Sequence, residues 1–177
     1  MIITRKWAMP SGDTLSIKPI FELFKRYHKQ HDVVIDAFAK DCKIGTITND
    51  LNPDCDTTYH LDALSFLAQF ESNKYDFLIL DPPYSITQAT SLYKSFGKEK
   101  LKASVSNMKY WSSIKNEAAR ILKPNGYCMY CGWNSNGLGK SRGFELDEVL
   151  ICAHGGSRND TIVTIEHKIK TLFDDAN

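Results

Sequence analysis

Asp81-Pro82-Pro83-Tyr84 is the tetrapeptide of this chain with the clearest chemical use. It follows the apolar run Tyr75-Asp76-Phe77-Leu78-Ile79-Leu80, which places it at the carboxyl end of a buried strand, where open α/β sheets bind ligands. Proline has a fixed φ and no N–H, so the pair stiffens the loop. Pro82 keeps a carbonyl acceptor, and with the Asp81 carboxylate it can receive both hydrogens of an –NH2 group. Tyr84 offers a face on which a flat ring can stack, and Phe or Trp is expected to be tolerated in its place. The set suits an amine attached to an aromatic ring. Such nitrogen is a poor nucleophile because its lone pair is delocalised into the ring. Two acceptors drawing on its N–H bonds favour a pyramidal nitrogen whose lone pair can face an electrophilic methyl. The proton can leave afterwards, so positioning and charge stabilisation carry most of the rate.

Other polar residues stand where predicted strands end. Asp36-Ala37-Phe38-Ala39 closes an apolar run over 33–38, and Ala39, Lys40, Asp41 and Cys42 occupy the loop beyond it. Asp50, in Asn49-Asp50-Leu51-Asn52-Pro53, can accept hydrogen bonds from ribose hydroxyls or form the turn ahead of Asn-Pro. The short interval from Asp36 to Asp50 requires that any intervening helix be reduced or absent. Asp62 is a natural helix N-cap. In Ser16-Ile17-Lys18-Pro19-Ile20, Lys18 or the helix start can meet a carboxylate.

These residues need a frame. The spacing of Ile17, Ile20, Phe21, Leu23, Phe24 and Tyr27 predicts a helix with one buried face and Pro19 in its first turn. Strands are predicted over 33–38, 44–50, 57–60, 75–80 and 127–133, and helices over 62–70, 87–96 and 107–122. Residues 145–154 and 160–169 read as a hairpin around Gly155-Gly156-Ser157. Strands alternating with helices imply an α/β fold with a mostly parallel sheet, here ending in a C-terminal antiparallel hairpin.

Asp-Pro-Pro-Tyr after an apolar strand resembles the catalytic signature of the amino-methyltransferases, above all the DNA adenine-N6 enzymes. The resemblance implies a Rossmann-like class I methyltransferase fold, S-adenosylmethionine as cofactor and DNA as partner. Asp36-Ala37-Phe38 resembles the start of the family's cofactor motif, Asp-x-Phe-x-Gly-x-Gly, with its glycines missing here. Asp50 is similar to the second cofactor motif. Asp62-Ala63 is similar to the third, which holds the adenine of the cofactor, and Lys18-Pro19 to the remaining one. The likeness spans about residues 13–168, including Arg120-Ile121-Leu122-Lys123-Pro124-Asn125-Gly126 before a strand. Asp81, where cytosine-N4 enzymes usually have Ser and glutamine-amide enzymes Asn, favours adenine. The family's usual target-recognition domain has no room here, which suggests a compact, phage-like catalytic core. Selectivity would then come from short loops, a specificity partner or a second copy. RNA as the substrate, or a non-catalytic nucleic-acid-binding subunit, are the alternatives.

Lys94, Lys98, Lys100, Lys102 and Lys109, beside Tyr93, Phe96, Tyr110 and Trp111, are candidates for contacting a nucleic acid, and Lys140, Arg142 and Arg158 could extend that surface. The 177 residues fit one domain, and a net charge of +1 neither supports nor excludes such a partner. Five cysteines, no long apolar run and no leader-like N-terminus point to a reducing, cytoplasmic setting in a prokaryotic or phage-host cell, away from membranes. Cys128 and Cys131 are three apart on a predicted strand and so face opposite ways, no metal site is expected, and Gly137-Leu138-Gly139-Lys140 reads as a turn.

Overall fold

The computed structural model describes residues 1–97 and 107–170. Its strands are β1 (Ile2–Trp7), β2 (Val34–Asp36), β3 (Ile47–Thr48), β4 (Tyr75–Leu80), β5 (Leu122–Gly132), β6 (Phe144–Ala153) and β7 (Thr161–Lys168). The helices are α1 (Lys18–Tyr27), α2 (Ala63–Leu67), α3 (Ile86–Ser95) and α4 (Met108–Ile121), with short 3-10 turns at Thr14–Ser16 and Lys140–Arg142. One sheet of seven strands has the order β1-β6-β7-β5-β4-β2-β3. Every pairing in it is parallel except those of β7 with β5 and β6.

Alternation along the central strands sorts the core into two layers. Phe77 and Ile79 of β4 face one side with Ile20, Leu23 and Phe24 of α1. Leu78 and Leu80 face the other, against Phe66 and Leu67 of α2 and Ile114, Ala118 and Ile121 of α4. Each large apolar side chain buried in this way contributes about 1.5–3 kcal/mol. Cys128 and Cys131 fall in opposite layers, as residues three apart on a strand must. Arg120, in the last turn of α4, ties that helix to the α2–β4 connection by donating to Phe70 O (2.8 Å) and Leu67 O (3.2 Å). No helix among the described residues is long and apolar enough to cross a membrane.

Several local features depart from the sequence pattern, and the strand predicted over 44–50 shrinks to the two residues of β3. Strand β1 carries no periodic signal because it is an edge strand with almost every residue exposed. It is held by pairing with β6 and by the buried Glu148 carboxylate, which accepts from Arg26 (2.6 Å), Tyr27 (3.2 Å) and Thr4 (3.3 Å). The strand predicted over 57–60 is reduced to a single bridge between Asn49 and Tyr59, since Thr58 N donates to the Thr48 side chain rather than to a ladder carbonyl. Helix α2 stops at Leu67, short of the predicted Phe70, whose ring turns into a cluster with Tyr59, Phe66 and Tyr75. Finally, Lys123-Pro124-Asn125-Gly126 does not separate α4 from β5 but bulges within β5, between the pairs Tyr75–Leu122 and Phe77–Tyr127. Gly126 is required there: a Cβ would meet Lys123 O at 2.9 Å and Tyr75 O at 3.0 Å. Between β2 and β3 there is no helix, as the short Asp36–Asp50 interval requires.

Candidate active site

Parallel strands β2, β3 and β4 deliver their following loops to one end of the sheet, and a cleft of about 390 Å³ opens there. Asp81, Pro82, Pro83 and Tyr84 form one wall of it. Pro82 is buried and Asp81 half-buried, so the carboxylate is held at the cleft surface by a loop with little freedom. The Tyr84 hydroxyl donates to Asp81 Oδ1 at 2.7 Å and lies 3.2 Å from Thr14 Oγ1. Tyr84 N donates to the Gln88 side chain at 2.8 Å, which fixes the loop to the first turn of α3. The Tyr84 ring meets Trp133 edge-on, with centroids 5.8 Å apart. Trp133 follows β5 directly and remains 42% exposed, so an open aromatic stands next to the Asp81–Tyr84 loop. The Tyr84 hydroxyl thus orients Asp81, a contact that the stacking expected of the ring does not include.

Asp36, Ala37 and Phe38 line the floor, and Asp50 the adjoining wall. Asp36 is 1% exposed and accepts from Phe38 N at 3.1 Å. Burial, opposed by that hydrogen bond and reinforced by Asp81, Asp50 and Asp13, pushes its pKa up to about 8. Burial also raises the pKa of Asp81, against the Thr14 and Tyr84 hydroxyls, which favour the ionised form. Asp50 Oδ1 accepts from Asn52 N (2.8 Å), the turn expected before Asn-Pro, while Oδ2 accepts from Lys40 N (3.0 Å). One carboxylate thus shapes the loop and faces the cleft.

Not every residue singled out in the sequence reaches this cleft. Ala63 lines it, but Asp62 does not: its Oδ1 caps α2 through Ser65 N (3.2 Å) and accepts from the Tyr110 hydroxyl (3.4 Å). Lys18 is exposed and Pro19 half-buried in the first turn of α1, and neither lines the cleft. That edge is built by the segment just upstream, where Asp13, Thr14 and Leu15 form the 3-10 turn and its cap. Lys94 is exposed in the last turn of α3 and Lys109 in the first turn of α4. Lys98, Lys100 and Lys102 lie outside the described residues. Tyr93 and Phe96 line the cleft, and Tyr93 packs into a small cluster with Tyr110 and Trp111. Arg142 is committed to Asn116, Leu138 O and Ser112 and pins the loop after β5.

Asn49 was not legible as a site residue. It is 1% exposed and lines the cleft, donating to Ala37 O (3.1 Å) and Leu61 O (3.0 Å) and accepting from Leu61 N (2.9 Å). It locks together the three loops that carry Asp36, Asp50 and Ala63. Its one sequence signal is a polar residue beside Asp50 at a strand end. Thr14 and Asp13 were hidden in what reads as a turn-rich lead into α1.

Neither a protein-family model nor a curated protein matches this sequence. Solved structures do resemble it. An S-adenosylmethionine-dependent methyltransferase from Methanosarcina mazei superposes with a TM-score of 0.56 at 15% identity, over 84% of this chain and 98% of that one. Another from Archaeoglobus fulgidus gives 0.55 at 10% identity, over 85% and 92%. TrmN from Thermus thermophilus gives 0.55 at 15% identity, over 86% of this chain and 49% of its own length. At such identities the likeness is one of architecture. The chain has the Rossmann-like class I methyltransferase fold.

Proposed function

We propose that this protein transfers the methyl group of S-adenosylmethionine to an exocyclic amine of a nucleobase, with adenine N6 in DNA as the substrate. One observation carries the reading: Asp81, Pro82, Pro83 and Tyr84 line the same cleft as Asp36 and Asp50. Its volume lies in the range of small-molecule sites. The residues present suit this cofactor. Asp13, Asp36, Asp50 and Asp81 surround a space in which Lys40 is the one Lys or Arg among the described lining residues. A sulfonium cation lowers the cost of ionising a buried carboxylate such as Asp36. Asp50 would accept from the ribose hydroxyls, and Phe38, Leu61 and Ala63 supply apolar wall for the adenine. When bound, the cofactor supplies an electrophilic methyl.

Asp81 and the Pro82 carbonyl would accept the two amine hydrogens of the target base and turn its lone pair toward that methyl. The Tyr84 hydroxyl holds the carboxylate in place while this occurs. After transfer the nitrogen is acidic and its proton passes to Asp81, whose raised pKa makes it a competent acceptor. Trp133 and the Tyr84 ring offer aromatic surface for a base removed from its stack. Lys94 stands on α3, which lines the cleft, and Lys109 on α4, which packs against α3 through Tyr93 and Tyr110; from there they could meet phosphates. Short loops, a second copy or a partner would supply sequence selectivity.

The test is incubation with labelled S-adenosylmethionine and separate DNA and RNA substrates, followed by nucleoside analysis. N6-methyladenine in DNA is expected. Asp81→Ala should abolish it while cofactor binding survives. Product confined to RNA would replace the substrate assignment, and full turnover by Asp81→Ala would refute the mechanism.

A further inference from the structure

Lys40 sits in a backbone conformation that does not suit it. Its φ is 53°, the left-handed region where a Cβ crowds the following carbonyl and where glycine is the easy choice. The position lies in the loop that follows β2, between the floor of the cleft and the segment ahead of α1. Its N–H donates to Asp50 Oδ2 (3.0 Å), and its Nζ donates to Gly12 O (2.9 Å), another residue of the cleft lining. Strain kept at a ligand-lining position points to a use for the side chain.

The charges around it supply that use. S-adenosylmethionine carries a carboxylate as well as its cationic groups, and a carboxylate entering a cleft lined by four aspartates needs a cation. If the methyl lies at Asp81 and the ribose at Asp50, the amino-acid arm takes up the rest of the lining, which includes Gly12 and the Lys40 side chain reaching to it. An ammonium group has three donors, and Gly12 O takes one.

We infer that Lys40, in the loop after β2, binds the methionine carboxylate of the cofactor. This rests on the reading of the cleft as an S-adenosylmethionine site. The same side chain, through Gly12, ties the cleft edge formed ahead of α1 to the loop after β2.

Calorimetric titration of the full chain with three ligands tests it: S-adenosylmethionine, S-adenosylhomocysteine, and 5′-methylthioadenosine, which keeps the nucleoside and sulfur but lacks the amino-acid arm. Lys40→Met should bind the first two about tenfold more weakly, the loss of one charge-assisted contact. Its affinity for methylthioadenosine should match that of the native chain. Lys40→Arg should recover most of the loss. Lys40→Gly, which relieves the positive φ but gives up the tie to Gly12 O, should show the same selective weakening, with its retained affinity for methylthioadenosine separating ligand binding from folding. Equal weakening for all three ligands, or none for any, would overturn the inference while leaving the proposed function standing. Failure of the native chain to bind S-adenosylmethionine at all would remove both.

Discussion

Asp36 should make cofactor binding depend on pH in a way that a single substitution removes. With its pKa at about 8, roughly nine molecules in ten hold this carboxyl neutral at pH 7, and roughly one in ten at pH 9. Burial is the main reason, and a cation bound against the group favours the ionised form. Binding of S-adenosylmethionine therefore releases a proton below pH 8. Through that linkage, the association constant should rise about tenfold from pH 7 to pH 9 and then level off. Asp36→Asn fixes the neutral state, so its affinity should stay near the low-pH level throughout. The quantity to measure is the ratio of native to variant association constants, because the comparison cancels titration of the ligand's own amino group. The unliganded protein should show the opposite trend. A carboxyl whose folded pKa lies above its unfolded value contributes stability in full below the ordinary carboxylate range, and that contribution is lost as pH rises through about 8. The native chain should thus melt progressively lower from pH 6 to pH 9, and Asp36→Asn should lose less. A ratio that does not change with pH would refute the placement of Asp36 beside the bound cation.

Tyr84→Phe keeps the ring but deletes the 2.7 Å hydrogen bond to Asp81. A bond to a charged acceptor is worth about 1.5–3 kcal/mol, so turnover should fall about tenfold or more. Because that bond favours the ionised carboxylate, the acidic limb of the kcat/KM profile should move to higher pH, and a native profile would return Tyr84 to a stacking role alone. Gly137→Ala tests the loop after β5. A Cβ there would run into the buried Glu166 carboxylate and approach Thr164 Oγ1 to 2.9 Å. Glu166 accepts from Leu138 N and Gly139 N, so displacing it should cost about 2–3 kcal/mol and lower the Tm by about 4–12 °C, as measured by thermal melting. A melting point unchanged by the substitution would show that the loop yields freely.

The two kinds of information divide along physical lines. Elements with a buried face were legible, because burial imposes a period on the sequence: α1, β4, α4 and the β6–β7 hairpin all lie close to where their patterns place them. The Asp81-Pro82-Pro83-Tyr84 corner was legible for a related reason, since its conformation and its polar atoms belong to consecutive residues. Strand β1 has no buried face and hence no pattern, and the bulge at Gly126 reads in sequence as an ordinary helix stop.

Local order along the chain determined which residues stand at the strand ends and what an acid, two prolines and a tyrosine can do together. Tertiary structure alone decided which of them share a cleft. Asn49 bridges loops distant in sequence, Thr14 meets Tyr84 from far along the chain, and Asp62 turns to cap its helix instead of facing the cavity. The pKa of Asp36 depends on burial and on three other aspartates brought near it by folding. Such distances are set by packing between elements, and residue order does not encode them directly.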